Sequence, residues 1–317
     1  MREWLFARLR PYLLVFLSGL APVAFAAEDY LDAELRAAVN LLQQDAGQPT
    51  TLANYPQRSD ILWRWANAFA VSGGYVPVNL TAVARTKLPD VPTPSTLRAI
   101  DDYVAEMTLL DTQPGALGEL SATLGPFVAR SNATLQQTYV VGEKPITVGG
   151  GIAVPRHFMA DYGEFQTAKP NAANYVTISS SNPNVHFVAD VVPVAGMHGG
   201  FRGAAPVLFF RLSAGLLRQN DIVTITYGAR SQGGGGLLMP TFSSDRMPFP
   251  LYVDFDGNGP LYSLPIQPIR VIGAAVAGVH GFAPSVVRPG ESFALTVRAQ
   301  DRYYNRASGS IPAWQVL

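Results

Sequence analysis

The chain has 317 residues, 48% hydrophobic and 15% charged, enough apolar content for two or three packed domains and too much for a disordered segment. Basic and acidic residues each number 23, so the basic excess expected of a nucleic-acid surface is missing and no nucleic-acid partner is expected. Cysteine is absent, which excludes disulfides, thiol catalysis and zinc–thiolate or iron–sulfur sites and leaves core burial as the source of stability.

Residues 1–26 read as a leader. Arg2, Arg8 and Arg10 make a positive start, Tyr12 to Val23 an apolar run, and Ala24-Phe25-Ala26 an A-x-A cleavage site. The run is short for a span and is broken by Pro11, Ser18, Gly19 and Pro22, so cleavage is favoured over anchoring and no stable membrane span is expected afterwards. Losing three arginines and one glutamate tips the balance slightly acidic. The reading is an exported protein, periplasmic or extracellular.

Residues 27–112 read as a small helical region. Leu31, Leu35, Ala38 and Leu42 recur at helical spacing, with Gly47 and Pro49 as stop signals. Ser59 is expected to cap a second helix carrying Ile61, Trp65 and Phe69 on one face and ending at Gly73-Gly74. Three prolines between Lys87 and Pro94 give an extended linker. Thr93 as N-cap with Pro94 at the first helical position starts a third helix. Its buried face is expected to hold Leu97, Ile100, Val104 and Met107, leaving Asp101, Asp102 and Glu106 toward water.

At Pro114-Gly115 the pattern changes to short apolar runs bounded by Gly, Pro and Asn. Candidate strands are Leu120 to Leu124, Ala133 to Val141, Ile146 to Val154, Tyr175 to Ser179, Val185 to Val192, Val207 to Leu212, Ile222 to Tyr227 and Leu251 to Phe255. This spacing predicts a mainly β chain with an antiparallel, immunoglobulin-like β-sandwich over residues 113–264. The stretch Asn220 to Gly259 reads as two strands flanking the glycine loop Gly233 to Gly236. Residues 265–317 read as the start of another immunoglobulin-like domain, with strands near Ile269 and Val271, at Val276 to Val279, across Phe293 to Arg298 and at Trp314 to Leu317. They supply about half the strands such a sandwich needs, so this last one is read as incomplete.

Motifs that could carry chemistry are sparse. His198-Gly199-Gly200 has the form of a hydrolase oxyanion loop, but no Gly-x-Ser-x-Gly elbow accompanies it. Gly149 to Gly151 and Gly233 to Gly236 are not followed by Lys-Ser/Thr and open no helix, so neither reads as a phosphate cradle. His157, His186, His198 and His280 are scattered, and His157 with Asp161 lies in irregular sequence. Asn79-Leu80-Thr81 and Asn132-Ala133-Thr134 are glycan sequons, relevant only in a eukaryotic host. The sharpest local match is Asp254-Phe255-Asp256-Gly257-Asn258-Gly259. Asp254, Asp256 and Asn258 fit positions 1, 3 and 5 of a calcium loop, although position 12 is Pro265. They are the candidate metal ligands, for a weak Ca²⁺ site, and ordinary hairpin-turn chemistry accounts for the same residues. No catalytic residue and no other cofactor is expected.

Several segments share their wording with a known family. They are Ile61 to Ala68, Gly149 to Ile152 with Asn174 to Ile178, Asp221 to Gly228 with its glycine loop, and Pro284-Ser285 to Asn305. Together the chain resembles the N-terminal half of a family of large exported bacterial proteins of unassigned function. Their second half is a metal-dependent hydrolase-like domain of the polymerase-and-histidinol-phosphatase type, opening with a Gly-Asp-Leu-His-x-His motif. The resemblance covers most of residues 60–317 and rests on scaffold motifs. Ala229 stands where such proteins carry Asp after Tyr-Gly, and no His-x-His occurs, so no metal ligand carries over. The resemblance implies an accessory, non-catalytic half, or a truncated form, of a metal-dependent protein, partnered by a downstream or separately encoded metal domain. A carbohydrate- or surface-binding module, resting on Trp63, Trp65 and the tyrosine-bearing strands, is the alternative.

Overall fold

The computed structural model describes residues 30–72, 77–156, 160–194, 205–265, 268–307, 309, 310, 313 and 315. The leader, the second helix's Gly73-Gly74 stop, His157, His198-Gly199-Gly200 and most of the Trp314 to Leu317 strand lie outside the described residues. The chain is mainly β, with several antiparallel sheets and four helices among the described residues.

Helix α1 (Ala33–Gln44) starts at Asp32, whose carboxylate accepts from the Leu35 N–H at 2.8 Å, and buries Leu35, Val39 and Leu42. Helix α2 (Tyr55–Val71) begins at Tyr55 rather than after Ser59. Pro56 in its first turn sets the helical φ, and the Ser59 hydroxyl donates back to the Pro56 carbonyl instead of capping. Helix α3 (Val78–Arg85) was not expected from the sequence, because it is only two turns long and holds an asparagine, a threonine and two valines, all of low helix propensity. Helix α4 (Pro94–Thr112) starts as expected, with a capping box between Thr93 and Thr96 and Pro94 in its first turn.

The acidic face assigned to α4 is a correction. Ile100, Val104 and Met107 are buried, but so are Ala99, Tyr103, Glu106 and Leu110, which make a second stripe. The helix is packed on both sides, so the polar position between two apolar stripes goes inside with it. Asp101 and Asp102 are half-buried rather than open to water.

Strands β1 (Glu119–Ala122), β2 (Phe127–Val128), β3 (Asn132–Ala133), β4 (Leu135–Val140), β5 (Gly151–Val154), β6 (Val176–Ser180), β7 (His186–Val194), β8 (Ala205–Ala214) and β9 (Ile222–Tyr227) follow. After them come β10 (Leu237–Leu238), β11 (Ser244–Met247), β12 (Tyr252–Asp254), β13 (Tyr262–Ser263), β14 (Ile269–Ile272), β15 (Gly278–Phe282) and β16 (Thr296–Gln300). One antiparallel sheet has the order β1-β4-β9-β6, and a second has the order β13-β12-β5-β8-β7. β11-β14-β2 form a third, in which β14 and β2 run parallel, against the all-antiparallel expectation.

The two strands expected around the glycine loop in the Asn220 to Gly259 stretch are present as β9 and β12. β9 and β12 lie in different sheets, and β10 and β11 between them pair with β3 and β14. After β9 the chain folds back on itself at Gly228. Gly228 has φ +67°, and a Cβ there would meet the Leu237 nitrogen at 2.0 Å. The next strand, β10, pairs with β3 outside the β9 sheet.

One buried cluster runs from Leu31 through the helices and into the sheets as far as Val271, with Trp65, Tyr103, Tyr139 and Tyr227 fully buried in it. Along β5, β8 and β12, Ile152, Phe210 and Val253 join this cluster, while Ala153, Phe209 and Tyr252 form a second one that Val78 of α3 packs against. Both faces of the five-stranded sheet are thus covered at its centre. By contrast, β15 and β16 form a two-stranded sheet of their own, with Gln300 also bridged to Arg306, while β14 pairs back into the third sheet. The ribbon strands sit a few residues later than the sequence pattern placed them.

Candidate functional site

Three places gather polar groups. The first is the Asp254–Gly259 turn after β12. Asp254 is buried, and its Oδ1 accepts from the Gly257 N–H at 2.8 Å and the Asp256 N–H at 3.2 Å. Asp256 Oδ1 accepts from the Asn258 N–H at 3.0 Å. Burial raises the Asp254 carboxyl above the usual carboxylate range, against the lowering effect of those two N–H groups. Gly257, at φ +80°, lies against the Gly149 backbone so closely that a Cβ would come within 2.7 Å of it. The calcium-loop candidate and the Gly149 to Gly151 turn are therefore two halves of one tight contact. Asp254, Asp256 and Asn258 sit together as expected, with carboxylate oxygens of both aspartates serving turn hydrogen bonds. Those bonds account for the residue types without a ligand. Among the described residues no group of three or more His, Cys, Asp or Glu is placed to hold a metal ion. His186 and His280 lie on different strands, β7 and β15, in different sheets.

The second place joins helices to sheet. Glu106 of α4 is 1% exposed, and its Oε1 accepts from both the N–H and the hydroxyl of Ser263, each at 2.7 Å. Ser263 is the register partner of Tyr252, whose hydroxyl donates to Asn79 Oδ1 of α3 at 2.7 Å. Burial pushes the Glu106 carboxyl up to about 8, with the Ser263 hydrogen bonds opposing and the Asp102 charge adding to it. Asp102 is pushed up to about 6 by burial and then by Asp101. A buried acid with a raised pKa is a functional-site signal in many enzymes. Here both donors to Glu106 come from one residue of a neighbouring strand, and neither a histidine nor an arginine is among its perturbers. The chemistry it supports is that of a clamp between α4 and β13.

The third place is a cleft of about 160 Å³ on the outer side of α2. Pro56, Ser59, Asp60 and Trp63 line it from one helix face, and Lys87 to Asp90 close the other side. The Lys87 ammonium lies 5.3 Å from the centre of the Trp63 ring. The Tyr55 hydroxyl donates to the Pro89 carbonyl at 2.6 Å, holding the segment to the helix. Trp65, paired with Trp63 in the sequence reading, is fully buried and donates through Nε1 to the Tyr30 hydroxyl at 3.0 Å. Only Trp63 of the two is available to a ligand.

No family model matches the chain, and no curated protein matches it.

Sequence reasoning missed three polar groups of the interior. Glu106 was placed toward water. Arg58 is buried in α2, where it donates to the carbonyls of Gln48 at 2.8 Å and Asp45 at 2.7 Å and pairs with Asp101 at 3.2 Å. Asp301 accepts from the N–H groups of Ala274, Tyr303 and Asn305 and from the Asn305 side chain. Burial works to raise the Asp301 carboxyl, but these hydrogen bonds outweigh it and hold it below the usual range. The signal for Asp301 was an Asp and an Asn four apart around a turn, the spacing that lets a carboxylate collect successive N–H groups.

Proposed function

We propose that the protein is an exported, non-catalytic module whose β region has an immunoglobulin-like sandwich architecture, serving as the accessory part of a larger metal-dependent hydrolase-like assembly. One observation carries this reading: the β15–β16 ribbon is firmly rooted yet leaves apolar side chains uncovered. At its root, Asn305 accepts from the Ser243 N–H and donates to the Thr241 carbonyl, both at 2.7 Å. Beyond the root, Val286 is 87%, Phe293 53% and Phe282 42% exposed. A two-stranded ribbon alone is marginal in water, and an ordered apolar surface of this kind marks a place where another body packs. Its two strand edges offer backbone groups for strand addition. The body that fits the family resemblance is the metal-dependent domain, encoded in the same chain or a separate one.

The test is direct. Purified protein supplied with Mg²⁺, Mn²⁺ or Zn²⁺ is expected to leave phosphoester, sulfate-ester and glycosidic model substrates intact. Metal-dependent turnover that tracks the purified protein contradicts the reading. Export is tested by the mature N-terminus, expected at Ala27 in mass spectra of secreted material; an intact Met1 start in that material contradicts it.

A further inference from the structure

We propose that the cleft between α2 and the Lys87–Asp90 segment is a binding site for a neutral polyhydroxylated ligand the size of one sugar ring. Its volume of about 160 Å³ is below the roughly 300–1,000 Å³ of sites for drug-sized ligands, which sets the scale at a single ring. The half-buried Trp63 supplies an aromatic wall, continued by the buried side chain of Leu88. Sugar rings present apolar C–H faces, and an indole is the broadest side chain on which to lay one.

The rim decides the chemical class. It carries the Lys87 ammonium, a donor only, and the Asp60 and Asp90 carboxylates, acceptors only, all three exposed. A hydroxyl group both donates and accepts, so a ligand rich in hydroxyls uses both signs of this rim. An inorganic anion would meet two carboxylates. Lys87 lies over the indole, so a cation would have to displace it against like charge, whereas a neutral ring can move the flexible ammonium aside and accept its hydrogen bond. The site is also pre-formed. The Tyr55-to-Pro89 hydrogen bond and the buried Leu88 hold the closing segment before any ligand arrives, which lowers the ordering cost of binding.

The experiment titrates the full chain with glucose, galactose, mannose, N-acetylglucosamine and their β-1,4-linked disaccharides, read by saturation-transfer NMR and calorimetry. Methylammonium and sulfate serve as cation and anion controls. At least one sugar is expected to bind saturably, with Kd about 1 mM or tighter. The double variant Asp60→Asn/Asp90→Asn is expected to weaken that binding at least tenfold with an unchanged thermal midpoint, since both side chains lie on the surface. Trp63→Ala is expected to abolish it. Saturable binding by no sugar overturns the proposal, as does sugar binding that the double variant leaves intact, or tighter binding of either control ion. Sugar binding and the hydrolysis assay are read separately, so either reading can fail without the other.

Discussion

Glu106 on α4 is 1% exposed and meets two donors of Ser263, whereas Phe293, on the loop leading into β16, stands 53% exposed. The first is a charged residue type placed inside with partners, the second a large apolar one placed outside. Around Glu106, the polar chain Glu106–Ser263 and Tyr252–Asn79 lies between helices and sheet, and the surrounding apolar surface is covered from both sides. At the ribbon, the polar turn Asp301–Asn305 holds the strands in place while the apolar residues beyond it are left in water. Buried polar groups thus report where this molecule is fastened to itself, and the exposed apolar residues of the ribbon are where the proposed partner would pack.

The contrast is broken most severely in the core. Trp65→Ala removes a fully buried indole together with its hydrogen bond to Tyr30, and is expected to cost about 3–5 kcal/mol in denaturant unfolding. A loss below about 1 kcal/mol would mean the helical cluster is loosely packed.

Glu106→Gln tests the junction through pH. The folded-state pKa of Glu106, about 8, lies above its ordinary value of 4.5, so the folded protein keeps a proton that the unfolded chain releases. The stability linked to that proton is complete below about pH 4.5 and is lost as pH rises through about 8. Relative to the glutamine variant, which cannot ionise there, the parent protein is expected to lose on the order of 5 kcal/mol across that window. Parallel stability–pH curves would place Glu106 in contact with water.

Asn305→Ala is expected to cost about 1–3 kcal/mol, because the Ser243 N–H and the Thr241 carbonyl lose their partner. The smallest effect is expected from Phe293→Ala, less than about 0.5 kcal/mol in the isolated chain, since a truncation in water leaves no cavity. A large cost at Phe293 would show that the ribbon face is already covered.

The elements with strong local chemistry were legible in the sequence. Thr93-Pro94 starts α4 as its residues demand, and the runs at Ile222 to Tyr227 and Val207 to Leu212 fall inside strands. Glu106 was not legible, because one apolar stripe on α4 implies a wet opposite face unless a second layer covers it, and that layer comes from β12 and β13, far along the chain. The strands on either side of the glycine loop were legible, but not the sheets they join, because alternation identifies a strand and not its neighbour. The approach of Lys87 to Trp63 depends on how an extended, proline-bounded segment lies back across α2, which local pattern does not contain. Asp254, Asp256 and Asn258 were found together by motif alone, and only the direction of their hydrogen bonds distinguishes a self-contained turn from a ligand loop.

The claim that the ribbon is rooted but uncovered is tested most directly by native-state amide hydrogen exchange on the purified chain. Central strands β4 and β9, flanked by neighbours and lined by Leu135, Tyr139, Val223 and Ile225, are expected to exchange only through near-global unfolding. β15 and β16 are expected to exchange through low-energy local opening, with protection returning only at the Asp301–Asn305 root. Protection across Gly278–Phe282 and Thr296–Gln300 equal to that of β4 and β9 would contradict the account.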